Sequence, residues 1–180
     1  QTCALPISVA AEPGTAARLL EVARSLLSGS PPLSFELLEV RALAATGRTD
    51  EGRALAASLL ARRPAPEHEA VVQRELALTA FITGDAAACG EHMARALDLT
   101  SDTARRPRLR AELAFARFLA LDQAGARTEA EQAIIEAATV GDGVGEVAAR
   151  SVLCWLYLVT GDPAAARTLA VEVERLADRA

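Results

Sequence analysis

Apolar residues recur at helical spacing along nearly the whole chain, in stretches separated by short turns that contain glycine. One helical pattern ends at each glycine and a second begins just after it, as in ATGRTDEGRAL and VTGDPAAARTL. Glycine commonly ends a helix because it adopts the left-handed conformation without strain. The pattern therefore predicts pairs of helices, with the turns at five glycines: Gly14, Gly47, Gly84, Gly125 and Gly161.

The positions that follow each glycine are also alike, which predicts that the helix pairs are copies of one unit. Successive glycines are separated by 33, 37, 41 and 36 residues. Five residues after the glycine, four copies carry a small residue: Gly52, Cys89, Ala130 and Ala166. Seventeen residues after it, four copies carry a helix breaker or cap: Pro31, Pro64, Ser101 and Asp142. Stacked helical hairpins need a small residue where helices cross and a breaker where the second helix ends.

The composition supports helices and argues against a nucleic-acid surface. Hydrophobic residues make up 51% of the chain but aromatic residues only 3%, so alanine, leucine and valine dominate. Alanine has the highest helix propensity, whereas sheets favour β-branched and aromatic residues. All 19 basic residues are arginine, which is typical of a GC-rich genome, and the net charge is -5. Proteins that bind nucleic acid usually carry a basic face instead.

The stretch GDAAACGEHMARALDLTSD, residues 84–102, resembles the turn and second helix of the tetratricopeptide repeat (TPR), a unit of about 34 residues. The resemblance implies an all-α fold, a right-handed α-solenoid of antiparallel helix hairpins. It places full repeats at residues 33–66, 70–103, 111–144 and 147–180, after a truncated half repeat at 9–32. Large aromatic residues are missing early in the first helices, and residues 104–110 form an insertion. A related helical-hairpin repeat is therefore the alternative.

The opening residues, QTCALPIS, contain a proline and no amphipathic stripe, although the half repeat would need its first helix there. Residues 1–7 can be encoded by a nucleotide string that resembles a common short-read sequencing adapter. We therefore expect residues 1–8 to be an artefact fused to a truncated gene, with a natural segment as the alternative. At the other end, Val171, Val173 and Leu176 have no polar capping helix after them. We expect the chain to be a fragment of a larger protein.

The chain carries no recognisable catalytic motif. The stretch GDGVG, residues 141–145, superficially resembles a phosphate-binding loop, but a helical pattern rather than a strand precedes it. We therefore predict a loop between repeats. His68 and His92 lack the spacing of metal ligands, and we expect both to be solvated. We expect no enzyme activity, no cofactor and no metal ion.

The run ARRPRLR, residues 104–110, concentrates four arginines around one proline. It could be an anionic docking patch, because guanidinium groups match phosphate and carboxylate. The alternative, which we favour, is a solvated loop between repeats in which Arg108 and Arg110 begin the next helix. No aromatic residue lies among the arginines, which argues against single-stranded nucleic acid as a ligand.

The resemblance also implies a partner-binding groove, because the first helices of TPR hairpins line a concave surface that binds peptides. The corresponding positions are Leu37, Arg41, Arg74, Leu78, Phe81, Phe115, Leu119, Trp155 and Leu158. Alternatively, Phe115 and Trp155 pack between repeats, and Arg41 and Arg74 are ordinary surface residues. The chain has neither Lys nor Asn, so it lacks the clamp with which some family members bind C-terminal carboxylates.

We therefore expect a protein–protein interaction scaffold whose partner is a protein, a peptide or another domain of the same chain, with no contact to nucleic acid or membrane. An array rich in alanine and arginine resembles the regulatory repeats of large bacterial signal-transduction ATPases with a LuxR-type DNA-binding domain. The alternatives are a stand-alone adaptor, a repeat region flanking a catalytic domain, and a small-ligand sensor. Cys3, Cys89 and Cys154 lack paired spacing and no signal peptide is visible, which favours the cytoplasm.

Overall fold

The computed structural model describes residues 13–178, and in this part of the chain every regular element is an α-helix. Its helices, numbered in chain order, are α1 Pro13–Leu26, α2 Leu33–Ala45, α3 Thr49–Ala61, α4 Pro66–Ile82, α5 Ala86–Leu99, α6 Arg106–Leu119, α7 Gln123–Val140, α8 Gly143–Val159 and α9 Pro163–Ala177. The prediction of an all-α fold is confirmed. The expected artefact at residues 1–8 lies outside the described residues.

The chain forms two compact units, Gln1–Asp85 with α1 to α4 and Ala86–Ala180 with α5 to α9. In the first unit each helix packs against the next, and α2 also packs against α4. In the second unit each helix again packs against the next, and α6 also packs against α8. Contacts between a helix and its next neighbour but one are those of stacked hairpins, in which each hairpin buries the apolar side of the one before it.

Small and medium apolar residues fill both cores, which explains why a chain with few aromatic residues can fold. The main core of the first unit consists of Val40, Ala56, Leu59, Val72 and Leu76. The main core of the second unit is richer in alanine and consists of Ala114, Ala126, Ala130, Val152, Leu153 and Leu156. A buried alanine lets two helix backbones approach closely, so the alanine content sets the close packing of these helices.

Three of the five glycines predicted to end helices do so in the left-handed conformation: Gly47, Gly84 and Gly161, with φ of 81°, 76° and 82°. Gly14 lies inside α1 instead. Gly141, with a φ of 72°, is an additional left-handed residue at the end of α7. Only this glycine and Asp142 separate α7 from α8, so residues 143–145 of the predicted loop form the first turn of a helix.

The prediction that Gly125 ends a helix is wrong. The left-handed residue between α6 and α7 is Leu121, with a φ of 63°. Gly125 lies in the first turn of α7, where its N–H donates to Oδ1 of Asp122 at 2.9 Å. Asp122 is therefore the N-cap that starts α7. The register of this copy moves by four residues, and Ala126 takes the crossing position that we had assigned to Ala130, although both are fully buried.

Replacing Leu121 by glycine should raise the free energy of unfolding by about 0.5–1 kcal/mol. A non-glycine residue in the left-handed region is strained by about 1–2 kcal/mol, and the greater freedom of glycine in the unfolded chain offsets part of that gain. Because the Leu121 side chain is 84% exposed, little packing is lost. Urea unfolding followed by circular dichroism would measure the change.

The matched control is Gly161→Ala in the same unit, where an added Cβ meets no atom within 4 Å but the backbone stays left-handed. We expect this variant to lose about 1 kcal/mol. A destabilised Leu121→Gly variant would contradict the assignment of strain to Leu121.

Candidate partner-binding surface

The first unit carries five of the predicted groove residues on two helices, Leu37 and Arg41 on α2 and Arg74, Leu78 and Phe81 on α4. Leu37 packs against the main core of this unit, so part of its surface serves stability. Arg74 and Leu78 are half-buried, and Phe81 is half-exposed near the end of α4. Phe81 is therefore the most accessible apolar side chain of this set.

Arg41 has a structural partner in Glu75 of α4. Its Nε donates to Oε2 of Glu75 at 3.1 Å, and its Nη2 forms a second bond to Oε1. Glu75 is only 3% exposed. A buried carboxylate is strongly destabilising unless a cation or hydrogen bonds compensate it. Arg41 therefore links α2 to α4 and is more than an ordinary surface residue.

The second unit brings Phe115 of α6 and Trp155 of α8 together through Phe118. The rings of Phe115 and Phe118 have centroids 6.4 Å apart and are nearly parallel, at 20°. The rings of Phe118 and Trp155 have centroids 6.2 Å apart and meet edge to face, at 69°. Sequence analysis missed Phe118, although it follows Phe115 by three residues and therefore lies next to it on a helix.

These aromatic residues differ in exposure. Phe115 and Phe118 are half-buried against the core of the second unit. Trp155 is 55% exposed, Leu158 is 59% exposed, and Leu119 is also accessible. The alternative of core packing therefore holds in part for Phe115, whereas Trp155 lies mostly outside the core. We call Phe115, Phe118, Leu119, Trp155 and Leu158 the aromatic surface.

The arginines of residues 104–110 all form bonds within the protein. Arg108 and Arg110 lie near the start of α6, as predicted, but Arg106 and Arg110 are half-buried, so the interpretation of a solvated loop is wrong for these two. Arg105 pairs with Asp102, with Nε 3.1 Å from Oδ2. Arg106 begins α6, and its Nη1 donates to the carbonyl oxygens of Leu97 and Thr100, at 3.1 Å each. These carbonyls lie at the end of α5, where helices leave acceptors unsatisfied.

Arg110 is largely buried and bridges two carboxylates of α7. Its Nη1 donates to Oε2 of Glu129 at 2.7 Å, and its Nη2 donates to Oε1 of Glu136 at 2.9 Å. Burial is the largest single influence on the pKa of Arg110 and lowers it. The hydrogen bonds to both glutamates together outweigh burial, so the pKa is raised. Arg110 therefore fixes α6 on α7.

Arg108 pairs with Asp142, the residue before α8. Its Nη2 donates to Oδ1 at 2.8 Å and its Nε donates to Oδ2 at 2.9 Å. The hydrogen bonds from Arg108 lower the pKa of the Asp142 carboxyl. Gly145 is buried beside this carboxylate, and a Cβ there would lie 2.5 Å from Oδ2 and 3.2 Å from Cβ of Pro107. Glycine at this position therefore makes room for the ion pair.

The described residues offer little other site chemistry. Within residues 13–178, no group of three or more His, Cys, Asp and Glu side chains could hold a metal ion. His68 is exposed on α4 as expected, but His92 on α5 is half-buried. Cys89 and Cys154 are free thiols, as predicted, and burial raises the pKa of Cys154. No helix in the described range combines the length and apolar character needed to cross a membrane.

Replacing Arg108 by alanine should lower the free energy of unfolding by an amount that depends on pH. Because Arg108 lowers the folded-state pKa of Asp142, the pair stabilises the fold above the unfolded pKa of about 3.9. This contribution is lost as the pH falls through the lower folded-state value. Since Arg108 is largely exposed, solvent screens the pair, and we expect the variant to lose about 0.5–1 kcal/mol at pH 7.

Urea unfolding of wild type and variant at pH 7, 5 and 3 would measure the difference, which should shrink below pH 4. Arg167→Ala on α9 is the control, because Arg167 is exposed and its loss should cause no such pH dependence. An Arg108→Ala difference that is equally large at pH 3 and pH 7 would rule out this account of Asp142.

Two solved structures resemble the chain, both of a Podosopora anserina protein described as a kinesin light chain with nearly identical TPR-like repeats. The structure of a single-substitution variant superposes with a TM-score of 0.72 at 22% identity, over 94% of this chain and 90% of that one. The other superposes with a TM-score of 0.71 at 24% identity, over 94% and 89%. No protein-family model matches the chain, and no curated protein sequence matches it. The structural similarity shows the fold, an all-α solenoid of TPR-like helical repeats.

Proposed function

We propose that this protein is an interaction scaffold that binds a peptide or protein segment on the first helices of its hairpins. The observation that carries the proposal is the aromatic surface of α6 and α8. Trp155, Leu119 and Leu158 are accessible there although each is large and apolar. Exposed apolar groups that lie together are typical of binding sites. The TPR-like fold supports the proposal, because this class of repeat is built around such a surface.

The support under Trp155 suits it as an anchor. Phe118 contacts the indole edge to face and is itself half-buried against the core. A side chain that is already held in place loses little conformational entropy when a partner binds. Tryptophan is also among the residues most often found to dominate interface energies. The aromatic surface therefore favours a partner with an apolar side chain that covers the indole.

In the first unit, we propose that Leu37, Arg41, Arg74, Leu78 and Phe81 extend the partner-binding residues. Phe81 offers an apolar contact on α4. Because Arg41 also compensates the buried Glu75, it would contribute to binding only through donors that this ion pair leaves available. Apolar contacts at Leu78 and Phe81 therefore carry the proposal for this unit.

We propose as the wider context the sensor region of a bacterial transcription regulator that also contains an ATPase and a LuxR-type DNA-binding domain. Its support is the lysine-free composition rich in alanine and arginine. The alternatives remain a stand-alone adaptor and a repeat region beside a catalytic domain. The free thiols of Cys89 and Cys154 favour a reducing compartment such as the cytoplasm.

A long-read sequence of the source locus would discriminate between these contexts. For the regulator, we expect a phosphate-binding ATPase motif upstream and a helix-turn-helix downstream in the same reading frame. A frame that holds only further repeats would favour the adaptor and contradict the regulator. A catalytic domain in the same frame would favour the third context.

Trp155→Ala should weaken partner binding by about 2 kcal/mol, or roughly 30-fold, because truncating a central tryptophan removes its contact area. A random 15-residue peptide library would be selected on the wild-type protein, and the selected peptides measured by calorimetry. The control is Ile135→Ala, since Ile135 is 60% exposed on α7, a second helix of a hairpin. Its affinity should be unchanged. Peptides that bind wild type and a folded Trp155→Ala variant equally well would contradict the assigned surface.

A further inference from the structure

A cleft lies between α1, α2 and α3 of the first unit, and none of the proposed partner-binding residues lines it. It encloses about 290 Å³ and is partly open to solvent. Leu20 and Ala42 are buried in its floor, and Leu43 and Leu55 are half-buried beside them. Small-molecule sites usually start at about 300 Å³ and combine an apolar lining with a few polar groups. The size and lining of the cleft therefore suit a small ligand or a single long side chain.

The walls of the cleft carry three carboxylates and two guanidinium groups, so they have an excess of one negative charge: Glu21, Arg24, Glu39, Arg48 and Glu51. Arg24 and Glu39 pair with each other, with Nε 2.6 Å from Oε1. Glu39 is nearly buried, so this pair is a fixed part of the wall. The remaining three residues, Glu21, Arg48 and Glu51, therefore carry the excess negative charge.

Arg48 bridges the other two carboxylates of the cleft, which lie on two different helices. Its Nη1 donates to Oε1 of Glu21 on α1 at 3.0 Å. Its Nε and Nη2 donate to the two carboxylate oxygens of Glu51 on α3, at 2.8 and 2.7 Å. The pairing with Arg48 lowers the pKa of Glu51. Glu21 and Glu51 thus form a position that accepts a guanidinium group next to an apolar floor.

Arg48 is a replaceable occupant of this position. The side chains of Arg48, Glu21 and Glu51 are 44%, 63% and 59% exposed. A single exposed ion pair typically contributes at most about a fivefold factor to an equilibrium, so the two pairs of Arg48 together contribute at most about 25-fold. Another cation that takes over these bonds can therefore displace the Arg48 side chain into solvent at little cost. Arg24 differs because, although it is 46% exposed, it compensates the nearly buried Glu39.

We propose that the cleft binds an amphipathic organic cation, whose guanidinium or ammonium group lies between Glu21 and Glu51 in place of Arg48 and whose apolar part covers Leu20 and Leu43. The apolar part would gain by leaving water, which the guanidinium group of Arg48 does not. An anionic ligand is disfavoured, because both guanidinium groups of the wall already bind carboxylates. The same chemistry could come from a free small molecule or from an arginine side chain that follows an apolar residue in a peptide.

Isothermal titration calorimetry of the full chain with n-hexylguanidinium would test the proposal. Removing the internal competitor by Arg48→Ala should tighten binding about five- to 25-fold, because Arg48 makes two exposed ion pairs there. Adding Glu21→Gln and Glu51→Gln to that variant should weaken binding at least about tenfold, because both partners of the cation are lost. Arg53→Ala is the matched control, since Arg53 lies in the same helix as Glu51 but pairs with Asp50 and Thr83 outside the cleft. Its affinity should equal that of wild type.

Two further ligands separate the contributions of charge and apolar body. Hexanoate has an alkyl chain of similar length with the opposite charge and should not bind, whereas guanidinium alone should bind at least about tenfold more weakly. A peptide, acetyl-leucyl-arginine amide, identifies the source. If the peptide binds more tightly than hexylguanidinium, the ligand is an arginine side chain; if it binds more weakly, the ligand is a free small cation. Both results support a cationic site.

Equal affinity of hexylguanidinium for Arg48→Ala and for the triple variant would overturn the proposal, as would hexanoate binding of similar strength. If Arg48→Ala failed to fold by circular dichroism, Glu21→Gln with Glu51→Gln in the otherwise natural chain would serve, since both side chains are exposed. Wild-type binding that survives this double change would also overturn the proposal. Trp155→Ala affects a different unit, so this test stands independently of the aromatic surface.

Discussion

The pairing of buried carboxylates with arginines from other helices is the constraint on which the first unit depends. Glu36, Glu39 and Glu75 are only 2%, 9% and 3% exposed, respectively. A carboxylate in such a position must be compensated, because an isolated buried charge is far more destabilising than any single apolar contact is stabilising. Each is held by an arginine from another part of the unit: Arg62 just after α3, Arg24 on α1 and Arg41 on α2, respectively.

These pairs determine which positions of neighbouring helices face each other. Arg62 reaches back from the end of α3 to Glu36 on α2, with two bonds of 2.9 and 2.8 Å. Arg41 extends from α2 to Glu75 on α4. Cores built from alanine and leucine are tolerant of small sliding movements, since many apolar registers have similar energies. A paired buried charge is not tolerant, because a shift of one turn would separate the guanidinium from its carboxylate. The apolar residues therefore supply the driving force, and these ion pairs are compatible only with the observed register.

Much of the fold could be predicted from the sequence, because the repeat and the apolar period are local signals. The errors have local physical causes. The turn after α6 was assigned to Gly125 because glycine is the usual left-handed residue, whereas Leu121 adopts that conformation and Asp122 starts the next helix. The run at residues 104–110 looked solvated because single-sequence patterns do not show tertiary ion pairs. One signal was available: Arg108 and Asp142 lie 34 residues apart, close to one repeat length, as do Arg41 and Glu75.

Because many arginines form ion pairs within the units, the kinds of partner that the candidate surfaces can bind are limited. The arginines most suited by sequence to bind an anionic partner, Arg41, Arg108 and Arg110, are committed to Glu75, Asp142 and the two glutamates of α7. A partner that engaged Arg41 or Arg110 through charge would have to compete with ion pairs that compensate largely buried carboxylates, and the free energy gained in binding would be offset by the loss in stability. Among the candidate partner-binding residues, Trp155 and Leu158 are accessible and have no such conflict. By contrast, Glu21 and Glu51, the partners of Arg48, are exposed, so displacing Arg48 would leave no carboxylate buried without a cation.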